Sequence, residues 1–173
     1  NSLTELGLNT ELTVLHCQSN SLPKLYVSQN TKLTQLWCGN NQLTELDVSK
    51  NTKLTELICN DNQLKELDVR LNTELTYLDC YSNELTELDI SRNTELTNLD
   101  CRSNQLTEWD VSGCTALTTL GCDNNQLTEL DISRNTKLTY LNCCDNPGDG
   151  NSVFPLTVWG DQAEKPGSLN VLH

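Results

Sequence analysis

Residues 54–74 read LTELICNDNQLKELDVRLNTE, and this 21-residue unit recurs along most of the chain. Cysteines mark the period without a slip at Cys17, Cys38, Cys59, Cys80, Cys101, Cys122 and Cys143. An asparagine follows each three residues later, from Asn20 to Asn146, and leucines keep the same register from Leu12 to Leu138 and from Leu15 to Leu141. A fixed period of this length marks a solenoid, in which each unit buries its apolar side only by stacking on its neighbours. Positions that stay constant between units build the frame. Positions that vary are free to recognise something.

Within the unit, Leu57 and Cys59 alternate with Glu56, Ile58 and Asn60, the period of two that a short half-buried strand requires. Stacked units therefore predict a parallel sheet with leucines and cysteines inside. The second half of each unit repeats the alternation, with Leu46 and Val48, Leu67 and Val69, or Leu88 and Ile90 inward, and is expected to be extended too. Twenty-one residues leave little room for a helix on the return, so a single 3₁₀ turn near Asn-Thr-x-Leu is the most that is expected.

The two halves read L-x-x-L-x-C-x-x-N-x-L and L-x-x-L-D-V-x-x-N over roughly residues 1–146. This pattern resembles the leucine-rich repeat family, with cysteine in the third leucine slot, and more narrowly its nested 21-residue bacterial class. The resemblance implies a right-handed superhelical solenoid of about seven coils, mainly parallel β with turns, whose strands form the concave face. It also implies a non-catalytic module that binds protein, in an extracellular or bacterial cell-surface setting where adhesion is a natural role. Residues 147–173 leave the pattern at Pro147-Gly148, carry Phe154 and Trp159, and are expected to cap the last coil. The first coil is two residues short between Leu8 and Asn9 and shows no cap. With no initiator methionine at Asn1, the chain reads as a processed piece of a longer protein.

Bulk properties narrow the possibilities. The 173 residues suit one domain, and a hydrophobic content of 36% suits a thin stack of coils. A net charge of -13 argues against a phosphate-binding surface and hence against nucleic acid. No stretch approaches the roughly 20 apolar residues that span a bilayer. Ladder cysteines on adjacent coils are about 4.8 Å apart, close enough for a disulfide, but their side chains point the same way into the core. They read as buried thiols, with Cys114 and Cys144 outside the ladder and less settled. No paired Cys-x-x-Cys unit suggests zinc, and no cofactor is implied.

Several columns could carry chemistry. Asn41, Asn62, Asn83, Asn104 and Asn125, and a second series Asn30, Asn51, Asn72, Asn93 and Asn135 with Cys114 standing in once, are expected to satisfy buried backbone groups. Glu45 with Asp47, and the equivalent pairs to Glu129 with Asp131, form an acidic ladder in which calcium is conceivable. Framework and solvation, with Lys50, Lys53, Arg70, Arg92, Arg134 and Lys137 nearby, is the preferred reading. Threonines from Thr34 to Thr139 are not paired as an ice lattice requires. Asp79 and Asp100 on neighbouring strands approach a glycosidase-like separation, yet Arg102 makes a relieved surface pair the better account. Catalytic residues are not assigned, since His16 and His173 lack a partner arrangement.

The outward strand positions vary freely. They run Val14, Gln35, Glu56, Tyr77, Asn98, Thr119, Tyr140; then His16, Trp37, Ile58, Asp79, Asp100, Gly121, Asn142; then Gln18, Gly39, Asn60, Tyr81, Arg102, Asp123, Cys144. Aromatic residues and arginine dominate interface energetics. Trp37, Ile58, Tyr77 and Tyr81 are expected to gather as anchors for a protein partner, with Asp79, Asp100, Arg102 and Asp123 selecting it. Trp109 sits at an inward leucine slot and is expected in the core. A glycan stacked on the aromatic rings, or a structural spacer, are the other readings.

Overall fold

The computed structural model describes residues 9–148, 156–157 and 170–172. Short strands recur once per unit: β1 (Val14–His16), β2 (Gln35–Trp37), β3 (Glu56–Ile58), β4 (Tyr77–Asp79), β5 (Asn98–Asp100), β6 (Thr119–Gly121) and β8 (Tyr140–Asn142). All pair in parallel with a register step of one repeat, so Leu36 lies opposite Leu57 and Leu57 opposite Leu78. The result is a β-solenoid with no helix among the described residues.

The remaining strands belong to the ends. Leu130–Asp131 (β7) pairs with Leu156–Thr157 (β9), and Asn170–Leu172 (β10) adds to β8 as the eighth strand of the main sheet. Most of the expected cap, including Phe154 and Trp159, lies outside the described residues, as does the short first coil before Asn9. The second halves keep the expected alternation, with Leu46 and Val48 buried and Glu45 and Asp47 exposed. Leu130–Asp131 is a strand, whereas the corresponding stretches of the earlier coils are not. Asp47, Asp68, Asp89, Asp110 and Asp131 each accept the backbone N–H two residues on, at 2.8 to 3.0 Å, where the second half ends in a turn. The expected 3₁₀ turn is reduced to single i→i−3 bonds, such as Asn30 N–H to the Val27 carbonyl at 2.9 Å.

One apolar cluster runs from Leu15 to Cys143. Cys38, Cys59, Cys80, Cys101 and Cys122 are fully buried, whereas Leu15 and Cys17 at the first described strand are 8% and 6% exposed. All nine cysteines are free thiols. Burial pushes the Cys17 and Cys143 thiols up to about 11 and those of the inner ladder higher still.

Three polar columns lock the coils together. In the first, Asn62 Nδ2 donates to the carbonyls of Cys38 at 3.2 Å and Cys59 at 3.0 Å, while Oδ1 accepts Leu43 N–H at 3.0 Å. In the second, Asn72 Nδ2 donates to the Val48 and Asn51 carbonyls at 3.1 and 2.9 Å. Cys114 takes the same slot one coil later than Asn93, and its thiol faces the Ile90 and Asn93 carbonyls at 3.4 and 3.5 Å. In the third, each threonine hydroxyl donates to the carbonyl of the threonine one coil earlier, as Thr55 does to Thr34 at 3.1 Å. Ser19, Asn40, Asp61, Ser82, Ser103, Asn124 and Asp145 leave the strands with φ between 50° and 57°. Serine, asparagine and aspartate tolerate that left-handed turn because their short polar side chains bond locally.

Asn72→Ala removes two inter-coil bonds from a buried site and is expected to cost about 2–3 kcal/mol in urea unfolding. Asn72→Cys is expected to lose roughly half as much, because Cys114 shows that a thiol reaches the same two carbonyls. Under native conditions a thiol reagent should modify the half-buried Cys144 first. The inner ladder should react only on global unfolding, which mass spectrometry of timed samples will read directly.

Candidate functional site

The outward face of the sheet carries the three variable columns in strict register. Val14, Gln35, Glu56, Tyr77, Asn98, Thr119 and Tyr140 are successive partners, and so are His16, Trp37, Ile58, Asp79, Asp100, Gly121 and Asn142. At the N-terminal end His16 stacks on Trp37, with ring centroids 3.7 Å apart and planes 9° from parallel. Trp37 is half-buried and its Nε1 is enclosed without a hydrogen-bond partner. Ile58 follows in the same column, so the apolar run is continuous over β1 to β3.

A bonded polar network occupies the next coils. Arg102 Nε and Nη2 grip Asp100 at 2.7 and 2.6 Å, and Asp123 Oδ1 lies 3.9 Å from the same guanidinium. Arg102 also sits 5.4 Å from the Tyr81 ring centroid, a cation–π distance. The Tyr81 hydroxyl donates to Asp61 at 2.6 Å. Gly121 gives the network room: a Cβ there would lie 3.2 Å from Arg102 Cγ and Cδ, so the arginine stem packs closely over this position. Gly39 does the same for Asn60, whose Oδ1 would lie 2.1 Å from an added Cβ.

The eight expected residues thus fall into two groups. Trp37 and Ile58 form an apolar end with His16. Tyr81, Asp100, Arg102 and Asp123 form one network, and Asp79 sits between the groups, next to Ile58 and Asp100. Tyr77 stands in the outer column, 37% exposed. His16, Asp61, Gly39 and Gly121 were not singled out from sequence. For the two glycines a signal was available, since they are the glycines at outward strand-face positions of coils that hold few others. Trp109 differs from expectation: it is half-buried at the core's edge, and its Nε1 donates to the Leu88 carbonyl at 3.1 Å.

Asp79 is the electrostatic exception on this face. Its one hydrogen bond shorter than 3.5 Å comes from Tyr81 N–H at 3.3 Å. Arg102, the nearest cation, is committed to Asp100. Burial, and then the Asp100 charge, push the Asp79 carboxyl up to about 6. Asp123 is likewise raised by burial. Arg102 donates to both oxygens of Asp100 and neutralises it, which favours the relieved-pair reading.

The opposite acidic ladder looks like framework. Asp68 is lowered to about 2 by its bonds from Arg70, and Asp47, Asp89, Asp110 and Asp131 are lowered by their bonded serines. A groove of about 820 Å³ runs between these carboxylates over Leu67, Leu88 and Trp109. Among the described residues no group of three or more His, Cys, Asp or Glu is arranged to hold a metal ion.

Comparison with known proteins agrees with this architecture. The profile of Leucine Rich repeats (2 copies) matches residues 94–135. Among solved structures, the functional domain of InlJ from Listeria monocytogenes, which includes a cysteine ladder, is 40% identical with a TM-score of 0.60, over 80% of this chain and 40% of that one. A leucine-rich repeat protein of Leptospira interrogans is 24% identical with a TM-score of 0.80, over 95% and 43%. An internalin (InlF) of Listeria monocytogenes is 22% identical with a TM-score of 0.78, over 94% and 47%. The chain therefore spans less than half the length of each of these structures. No curated protein matches it.

Asp79 gives a signed prediction. Its folded pKa is raised above the ordinary value of 3.8, so the folded state holds the proton more tightly and stability falls as pH rises from about 4 to 6. Asp79→Asn keeps the bond from Tyr81 N–H and removes the charge. It should be more stable than wild type at pH 7.5 by ~1–2 kcal/mol, discounted for solvent screening. The difference should vanish near pH 4 in paired urea titrations.

Proposed function

This chain is a leucine-rich repeat solenoid of the cysteine-bearing 21-residue class, and from that premise we propose that it is a non-catalytic module that binds a protein partner on its strand face. Proteins of this architecture commonly mediate protein–protein interaction, and solenoids present extended concave surfaces for it. The observation that carries the reading is a division of labour. Inward leucines, cysteines, asparagines and the threonine column are consumed by stacking, whereas the three outward columns change from coil to coil in strict register. Seven strands spaced at about 4.8 Å give a face roughly 30 Å long, enough for a standard interface.

The anchors on this reading are Trp37, Ile58, Tyr77 and Tyr81, and the polar selectors are Asp79, Asp100, Arg102 and Asp123. Similarity to Listeria internalins supports a secreted or cell-surface setting in a bacterium, with adhesion as the role. On this reading residues 147–173 close the C-terminal end, consistent with β9 and β10 extending both sheets. Glycan binding is the second reading. It is weakened at Trp37, which stands in its column between the stacked His16 and Ile58.

The test is a binding screen against extracellular proteins and a glycan panel, run with Tyr77→Ala/Tyr81→Ala and Glu87→Gln/Glu108→Gln variants. Both pairs lie outside the core, so circular dichroism should be unchanged. A protein captured by wild type and by the groove variant, but not by the tyrosine variant, is the expected result. Retention by the tyrosine variant with loss in the groove variant would move recognition to the acidic columns. Capture of glycans alone would replace the protein reading.

A further inference from the structure

The strand face is not electrically balanced. Its three columns hold four carboxylates, Glu56, Asp79, Asp100 and Asp123, against one guanidinium, Arg102. Arg102 forms ion pairs with Asp100, through Nε and Nη2, and with Asp123, and its charge reaches Asp79 only from beyond ion-pair distance. Asp79 is left over. Every element packed around it has been accounted for: β3 presents Ile58 and Glu56, with Asp61 beyond, and β5 presents Asp100 and the committed Arg102. Its own strand presents Tyr77 and the Tyr81 backbone amide. None of these supplies a cation free to pair with it.

Resting on the reading of this face as a protein-binding surface, we propose that the partner inserts a lysine or arginine side chain here, seated over Ile58 beside Tyr77, with its charged end on the Asp79 carboxylate. The apolar column Trp37–Ile58 leads directly to Asp79, and long cationic side chains lay their methylene stems on such surfaces while the head reaches a charge. Tyr77 and Tyr81 flank Asp79 two residues away on either side, where aromatic rings add attraction for a cation. Asp100 is the poorer seat, since Arg102 already neutralises its charge. Asp123 is the more enclosed, with 19% of its side chain exposed, and shares Arg102.

Selectivity follows from the same imbalance. A neutral side chain placed at Asp79 would desolvate the carboxylate further without compensation, and an acidic one would add repulsion. A cation relieves a charge that folding has left half-buried and unpaired. The face therefore discriminates by charge before any shape is considered.

The chain offers a simple reporter. It contains three isoleucines, of which Ile90 and Ile132 are fully buried and Ile58 lies in the outward column. Methyl NMR of the whole chain would be titrated with Nα-acetyl-lysine methylamide, Nα-acetyl-arginine methylamide and the uncharged Nα-acetyl-norleucine methylamide. The two cationic probes should shift the Ile58 methyl at least about tenfold more tightly than norleucine does. Asp79→Asn, whose fold circular dichroism verifies, should erase that preference, and so should pH 5. Glu87→Gln/Glu108→Gln should leave it intact. Equal response to norleucine, preference surviving in Asp79→Asn, or no Ile58 shift with any probe would each overturn the proposal. A protein ligand lost by Tyr77→Ala/Tyr81→Ala but held at full affinity by Asp79→Asn would also overturn it while leaving the docking face standing. Retention by both variants would remove the face itself.

Discussion

Everything in this molecule depends on satisfying backbone polar groups around a core to which each coil adds only a few apolar side chains. Each coil must turn twice, and each turn buries carbonyls that no sheet ladder reaches. The asparagine columns meet that demand by bonding across coils as well as within them, as Asn62 does from Cys38 to Cys59. A side chain that holds two coils at once makes stacking cooperative, which suits an array whose single coils cannot stand alone. The threonine hydroxyls repeat the device along the other side of the strands.

That constraint also explains the cysteines. The slot before each left-handed turn points into the core and takes an apolar side chain, while its carbonyl accepts the asparagine amide. A thiol fits, and complete burial keeps it protonated and inert. The ladder is thus packing before it is chemistry. Cys114 shows the converse, a thiol in a slot built for asparagine, facing the same pair of carbonyls through longer contacts.

The frame was legible in sequence because repetition averages out local ambiguity. Seven copies of Leu-x-Cys fixed the strand register, and the column of Asn41, Asn62 and Asn83 announced its own role. The outward positions were legible as positions, not as a network. The repeat places Tyr81 and Arg102 just past the ends of the adjacent strands β4 and β5, but nothing in the spacing says that Tyr81 turns toward Asp61 or that Arg102 spends its charge on Asp100. Those choices depend on the vacancy at Gly121 and on competition among three carboxylates. The second halves alternate as the strands do, yet among the described residues only Leu130–Asp131 is a ladder strand, because Leu156–Thr157 lies beside it as a partner.

The two acidic surfaces have different physical meanings. On the second halves, aspartates are exposed and stabilised as anions by bonded amides and hydroxyls, so their charge favours the fold they sit on. On the strand face, Asp79 is half-buried, and its surroundings oppose its ionisation. Frames accumulate groups of the first kind because each copy helps its own coil. A group of the second kind costs stability at neutral pH wherever it is placed, and a neutral residue would serve stacking better. A residue that opposes the fold in one coil, in a column whose other members are apolar, paired or neutral, points to a use outside the fold. The cost is small enough for a seven-coil stack to carry, and it is recovered when an opposite charge arrives.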